Sequence, residues 1–327
     1  MNFRTLLALF ILLVPFTSAY STDKQAEGIA LIQRSVDLTD LRKSGPYRLR
    51  ASIAYEDVAV GKGEGINVVN FISVDRWRRD LQVTGYNEIA LFLGAYMYRS
   101  RTARFTPPAL RGDLVGSLRN LPEVLDYKVF RIYDQKIRDV TARCVYLQQN
   151  RKDRPSEVRW CFDPATGLPL AILAANEIWH TEFSDYKPFG SKFVPGKIEL
   201  FEGRKSRGIA TMDSVESTVP NQDVIFKIPS DAIGRRWCDD MQRPRPRSYF
   251  PIPVPPGARA HSGLDANYEV TIDEHGRVLD VVPMAERPFI DRIAIETISQ
   301  WEFEPARCGD TPVLTDIALD ITRFMRQ

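Results

Sequence analysis

The chain has 327 residues, 44 % of them hydrophobic, and 44 Lys+Arg against 42 Asp+Glu give a formal net charge of +2. A balance so near neutral excludes the electrostatic footprint of a nucleic-acid binder, while the apolar content is enough to fill more than one core. With only three histidines and four cysteines, there is little material for metal or nucleophile chemistry.

The chain opens with Arg4, an apolar run from Leu6 to Phe16, and Thr17-Ser18-Ala19 ahead of Tyr20. A basic start, a short apolar stretch and small closing residues form the pattern of a cleaved export signal over residues 1–19. The alternative, an uncleaved inner-membrane anchor, fits less well, because about eleven apolar residues fall short of the roughly 20 that a spanning helix needs. Loss of Arg4 takes the net charge from +2 to +1 (2 − 1). The mature chain is expected in the periplasm or outside the cell.

Thr22 to Ser44 has the spacing of a helix, with Ile29, Ile32, Val36 and Leu41 near one stripe and Gly45-Pro46 as its stop. Strand signals follow. Tyr47 to Tyr55 alternates, Gly61 to Gly65 is expected to turn, and Ile66–Val74, Trp77–Val83, Asn87–Leu93 and Ala95–Ser100 come at short spacing. Pro107-Pro108 introduces a predicted helix from Ala109 to Leu121, and seven further short strands run from Tyr127 to Thr218. Many consecutive short strands with few helices predict a curled antiparallel sheet with helices on its concave side.

That order, together with the phrases VDRWRRDLQVTGYNEIALFLGAYMYRSR, FDPATGLPLAI and FSDYKPFGSKFVPGKIELFEG, resembles the LolA family of lipoprotein-sorting half-barrels over about residues 25–230. The resemblance implies a hydrophobic cavity for an acyl chain or a lipophilic small molecule. A closed aromatic core built from Trp77, Tyr96, Tyr98, Trp160 and Trp179 is the competing expectation.

Four cysteines in an exported chain suggest two disulfides. Cys144 and Cys161 flank the polar loop Asn150–Pro155 symmetrically; if Gln149 faces Ser156, stepping back along both strands puts the two cysteines opposite each other. Cys238 and Cys308 remain for the second bond. Between residues 243 and 256 six prolines stand among arginines, which predicts an extended linker reaching roughly 40 Å.

Beyond the linker, Tyr268, Val270 and Ile272 alternate with polar residues, Asp273–Gly276 turns, and Val278–Val282 returns as the second strand of a hairpin. Ile290, Ile293, Ala294, Thr297, Ile298 and Trp301 recur at helical spacing, and Ile317, Leu319 and Ile321 mark a last strand. Ile272, Asp273, Glu274, Gly276 and Val278, then Trp301, Phe303, Pro305, Ala306, Gly309, Pro312, Val313 and Phe324, resemble the pattern of the TonB C-terminal domain. The resemblance implies docking of an envelope protein by strand addition, with Val313, Ile317, Leu319, Ile321 and Phe324 as the candidate docking strand.

The predicted fold is therefore α+β: a signal peptide (1–19), an antiparallel half-barrel with one or two helices on its concave face (20–236), a proline-rich linker (237–256) and a small ββαβ domain (257–327). His180, His261 and His275 form no catalytic or metal-ligating motif, so no catalytic residue, cofactor or metal is assigned. The expected function is a non-enzymatic binding or adaptor protein of the cell envelope. It would have an outer-membrane or other envelope protein as partner, a lipophilic ligand in the half-barrel, and no nucleic acid. The alternatives are a TonB-type energy transducer and a ligand-free interaction module.

Overall fold

The computed structural model describes residues 19–57, 61–104, 106–107, 110, 127–149, 156–174, 179–238, 241–253, 267–284, 290–321 and 324–326. The signal-like stretch 1–18, the predicted helix 109–121 apart from Leu110, the loop 150–155 and His261 lie outside the described residues. Helix α1 (Ala19–Thr39) and a 3-10 turn (Leu41–Lys43) precede β1 (Tyr47–Asp57), β2 (Gly61–Ser73), β3 (Arg76–Val83), β4 (Tyr86–Leu93) and β5 (Tyr96–Arg101). Next come β6 (Tyr127–Ile137), β7 (Val140–Gln149), β8 (Ser156–Phe162), β9 (Pro169–Ala174) and β10 (Trp179–Ser184). A hairpin of β11 (Lys187–Phe189) and β12 (Lys192–Val194) follows, then β13 (Lys197–Glu202), β14 (Lys205–Glu216), the one-turn helix α2 (Gln222–Ile225) and β15 (Ile233–Arg236). The C-terminal elements are β16 (Arg245–Ser248), β17 (Ile252–Pro253), β18 (Asn267–Ile272), β19 (Val278–Pro283) and α3 (Asp291–Ile298). They end with β20 (Glu302–Glu304), β21 (Ala306–Cys308), β22 (Thr311–Val313), β23 (Thr315–Asp320) and β24 (Met325–Arg326). The fold is mostly antiparallel sheet with few helices.

The chain divides into two compact units, Met1–Asp37 with Pro122–Ala175, and Leu38–Leu121 with Asn176–Gln327. In the first, β6 to β9 pair in sequence order as an antiparallel meander. Helix α1 reaches this sheet through a glycine rather than a large apolar residue: a Cβ on Gly28 would lie 2.7 Å from a Val129 methyl, so the backbone can come close. Ile32 is fully buried, whereas Ile29, expected on the same stripe, is exposed. Polar bonds fix the helix along its length, from the Val129 N–H to Gln25 at 2.8 Å, from Arg143 to Glu27 at 2.7 Å and from Arg34 to the Thr166 carbonyl at 3.1 Å. Strands β7 and β8 pair Gln149 with Ser156 and Cys144 with Cys161, and those cysteines form a disulfide with Cα atoms 4.0 Å apart. Their sulfurs sit among Ile137, Ala142, Ala171 and Leu173, away from water.

In the second unit the strand order is β15-β5-β4-β3-β2-β1-β14-β13-β10. Its main core gathers Leu41, Tyr47, Phe71, Trp77 and Phe92, with the Tyr47 and Phe71 rings stacked 4.9 Å apart. The stretch Gly61–Gly65 does not turn, contrary to the sequence expectation: it continues β2 and pairs with β1 down to Asp57 opposite Gly61. The glycines serve close approach instead. A Cβ on Gly65 would lie 2.0 Å from the Gln82 carbonyl oxygen, and one on Gly63 2.7 Å from the Tyr55 hydroxyl.

One carboxylate is deeply buried in this sheet. Glu88, 2 % exposed, accepts bonds from the Tyr86 hydroxyl and the Arg79 guanidinium, and from the Thr106 hydroxyl at 2.7 Å. Burial alone would raise its pKa, but Arg79 and Arg99 and the two hydroxyls outweigh that penalty and hold it at about 2.

In the C-terminal part the sheet order is β19-β18-β23, with the hairpin β18–β19 followed by α3 and then β23 laid antiparallel along β18. Tyr268, Val270 and Ile272 face Ala294 and Ile298 of the helix in one core, which Trp301 closes. Gly276 ends the hairpin turn with φ +85°, and a Cβ there would sit 1.8 Å from the Phe303 carbonyl oxygen. Gly276→Ala is expected to cost about 1–3 kcal/mol from the left-handed backbone alone, with the backbone clash added, read as a lower urea midpoint at an unchanged slope.

The proline-rich stretch is extended, as its composition predicts, but it does not run free as a spacer. Arg245–Ser248 pairs with β20, and Ile252–Pro253 pairs with β24 in the one parallel ladder among the described strand pairs. Ile252 is fully buried in the C-terminal core, and the Phe250 carbonyl accepts a bond from the Trp301 indole N–H at 3.2 Å. Proline's missing N–H is tolerated at such sheet edges, where only alternate backbone groups face a partner.

Candidate docking edge and an arginine-lined cleft

The residues of the candidate docking strand fall into two places. Val313 belongs to the small β21–β22 hairpin, opposite Ala306, and is 3 % exposed. Leu319 and Ile321 are buried in the C-terminal core, Ile317 is partly buried against it, and Phe324 packs edge-on to Trp301 with ring centroids 4.8 Å apart. Their side chains point inward. What β23 leaves on offer is backbone: it pairs with β18 over six residues, Asn267 opposite Asp320 to Ile272 opposite Thr315, and among the described residues it has no second strand neighbour.

The other face of this sheet is polar, which in a half-buried strand ordinarily means water. Here it meets Arg101 of β5, Arg104 just beyond that strand and Arg235 of β15. Arg101 donates to Glu269, Arg104 donates to both Asp280 oxygens at 2.6 Å, and Arg235 lies 3.3 Å from Asp316, which also accepts from Thr271 at 2.8 Å. The Arg104 pair is largely exposed and contributes little; Arg101 and Glu269, at 19 % and 11 % exposure, form the pair that water screens least. Strand β15 is held beside β5 by the pairing of Ile233 with Arg99 and of Arg235 with Met97. Just after it, Cys238 is disulfide-bonded to Cys308 with Cα atoms 5.8 Å apart, and Gln242 and Arg307 exchange backbone hydrogen bonds of 2.9 and 3.1 Å. The C-terminal sheet is thus joined to the β5–β15 edge by ion pairs, by a covalent clip and by backbone bonds.

Between them lies a cleft of about 490 Å³. Arg99, Arg101, Arg104, Arg235 and Arg236 line it, with Asp231, Asp280 and Asp316 as the acidic counterparts. Met97, Ile233, Trp237 and Met241 supply apolar wall. Sequence reasoning did not single out these arginines. Their signal was the alternation of Arg99 and Arg101 along β5, which puts both on the face opposite Tyr98 and Ser100.

The histidines stand elsewhere. His180 is stacked on Phe201 at 4.7 Å; burial, partly offset by Glu182 at 3.7 Å, pushes its pKa below the ordinary value. His275 is exposed in the Asp273–Gly276 turn, where Asp273 accepts the backbone N–H groups of His275 and Arg277. Among the described residues no cluster of three or more His, Cys, Asp or Glu is placed to hold a metal ion, and no helix is long and apolar enough to cross a membrane.

No protein-family model matches the chain, and no curated protein sequence matches it. Among solved structures it is similar to a LolA superfamily protein from Nitrosomonas europaea, at 9 % identity over 61 % of this chain and 97 % of that one, with a TM-score of 0.43. A DUF1329 family protein from Desulfovibrio piger gives 12 % identity, 63 % and 97 % coverage and a TM-score of 0.42. A chain of the Pseudomonas aeruginosa MucA/MucB complex gives 11 % identity, 86 % and 100 % coverage and a TM-score of 0.27. The fold described above rests on the chain's own strand order and register.

Proposed function

We propose that this chain is an exported, non-enzymatic adaptor of the cell envelope that docks an extended segment of a partner protein on the outer edge of β23. The observation that carries this reading is the single strand neighbour of β23 among the described residues: an unpaired edge presents a row of backbone donors and acceptors that a partner strand can satisfy. The opposite edge of the sheet is less open, since Arg277, just before β19, already bridges Glu302. The inward-facing side chains of Leu319 and Ile321 support recognition through backbone rather than through an apolar surface. The partner class, an outer-membrane or other envelope protein, follows from the resemblance of the C-terminal sequence pattern to the TonB C-terminal domain. Two disulfides and the signal-like pattern of residues 1–19 support export. A lipophilic ligand in the half-barrel belongs to the same reading and rests on the cavity expected of that architecture.

Ala318, exposed in the middle of β23, is the position to test. A photo-cross-linking residue there is expected to give a discrete adduct with an envelope protein in intact cells, while the same residue at exposed Leu279 on β19 gives none. Equal labelling from both positions, or none from Ala318, would sink the docking edge.

A further inference from the structure

We infer that the Cys238–Cys308 bond is a redox-sensitive clip, which a dithiol opens without unfolding the chain. The two disulfides stand in opposite surroundings. Cys144 and Cys161 are each 0 % exposed, inside the sheet of β7 and β8. Cys238 and Cys308 are both partly exposed. Cys238 follows β15, whose single strand neighbour among the described residues is β5. Cys308 closes β21, opposite the exposed Thr311 and beside exposed Gly309 and Asp310. Trp237 and Arg307, the residues just before the two cysteines, are exposed as well. The bond thus lies at the rim of two short elements, open to a thiolate from solvent.

Thiol–disulfide exchange requires access to a sulfur, and exposed disulfides are the labile ones. The reductant that this chemistry calls for is a dithiol, of the kind a Cys-x-x-Cys oxidoreductase presents. One of its thiolates attacks a sulfur of the clip, forms a mixed disulfide and expels the other cysteine as a thiolate. Its second thiol then displaces the first. Two electrons and two protons pass from the dithiol to Cys238 and Cys308, and the dithiol leaves as a disulfide. What remains across the joint is noncovalent: the ion pairs of Arg101, Arg104 and Arg235, and the two backbone bonds between Gln242 and Arg307. Such contacts open and reclose, and without the bond the loop constraint that favours reclosing is gone. Reduction therefore loosens the C-terminal sheet from the β5–β15 edge while the apolar cores on either side stay packed. Neither cysteine belongs to β23, so the clip is tested apart from partner docking there.

Purified oxidised protein would be treated with dithiothreitol in the absence of denaturant, trapped with N-ethylmaleimide and mapped by peptide mass. Cys238 and Cys308 are expected to be labelled together, at least about tenfold faster than Cys144 and Cys161, which need a local opening first. Hydrogen exchange gives the second readout. The Gln242 and Arg307 amides donate across the joint at 2.9 and 3.1 Å. On reduction they should lose protection by up to about a thousandfold, the loop-closure share of a bond with a sequence separation of 70. Amides of β7 and β8 should keep theirs, and reoxidation should restore the rest. The double variant Cys238→Ser/Cys308→Ser should exchange like the reduced wild type and ignore dithiothreitol. Labelling of all four cysteines at one rate, no labelling short of urea, loss of protection throughout the chain, or unchanged exchange at Gln242 and Arg307 would each overturn the clip as a redox device.

Discussion

Replacing Glu88 by alanine is expected to remove about 3–5 kcal/mol of stability, the range seen when one partner of a buried ion pair is deleted. The reason lies in what stays behind: Arg79, 12 % exposed, and the hydroxyls of Tyr86 and Thr106 all lose their acceptor at once. Loss of this size lowers the melting temperature by roughly 10 °C. The sign of the pH dependence follows from the carboxyl's depressed pKa. Its stabilising share is complete above the ordinary carboxyl value of 4.5 and is lost as pH falls towards about 2. Glu88→Gln keeps the shape without the charge, so the gap between wild type and this variant should narrow between pH 5 and pH 2. Urea unfolding across that range measures it. A gap that does not move with pH would mean that the carboxylate is not paired in the folded chain.

The second large effect is expected at Trp301. This side chain is 1 % exposed, heads the fully buried residues by volume, and touches Phe303, Phe324 and Tyr249 at centroid distances of 6.3, 4.8 and 5.8 Å. Trp301→Ala should cost about 3–5 kcal/mol, the transfer term plus the cavity left behind. It also removes the indole donor that holds the Phe250 carbonyl, so the proline-rich strand should loosen. Trypsin reports this separately from global stability. The Arg247–Ser248 bond is the susceptible one, because Arg243 and Arg245 are each followed by proline. Faster cleavage there, with exposed Leu279→Ala as control, is the expected result; unchanged cleavage would show that β16 and β17 hold without the indole.

The alternating strands of the C-terminal hairpin, the helix that covers them and the register of the β7–β8 hairpin were all legible in the sequence. Each is set locally, by the period of apolar residues or by a loop placed symmetrically between Gln149 and Ser156. The misreadings share one cause, which is that composition does not reveal what a segment will meet. Gly61–Gly65 has the makeup of a turn, yet its glycines admit the Gln82 carbonyl and the Tyr55 ring. Prolines and arginines at 243–253 have the makeup of a solvated spacer, yet Ile252 among them is a core residue. Likewise, Glu269, Thr271 and Asp316 alternate with apolar residues as the polar face of a half-buried sheet does. That the face is covered by Arg101, Arg104 and Arg235 depends on packing between segments far apart in the chain.

The Cys238–Cys308 bond also has a mechanical meaning. It closes a loop with a sequence separation of 70, so a pull applied to the two ends of the oxidised chain passes through the sulfurs and bypasses every residue in between. At roughly 3.3–3.6 Å per extended residue, about 240 Å of contour is withheld from extension. Tension from the N-terminal side therefore reaches β21 directly and leaves β16 and β18 off the covalent path, whereas β23, which follows Cys308, stays on it. A force entering through a partner bound on β23 would act on the β18–β23 ladder along the strand, in shear, on all six paired residues together.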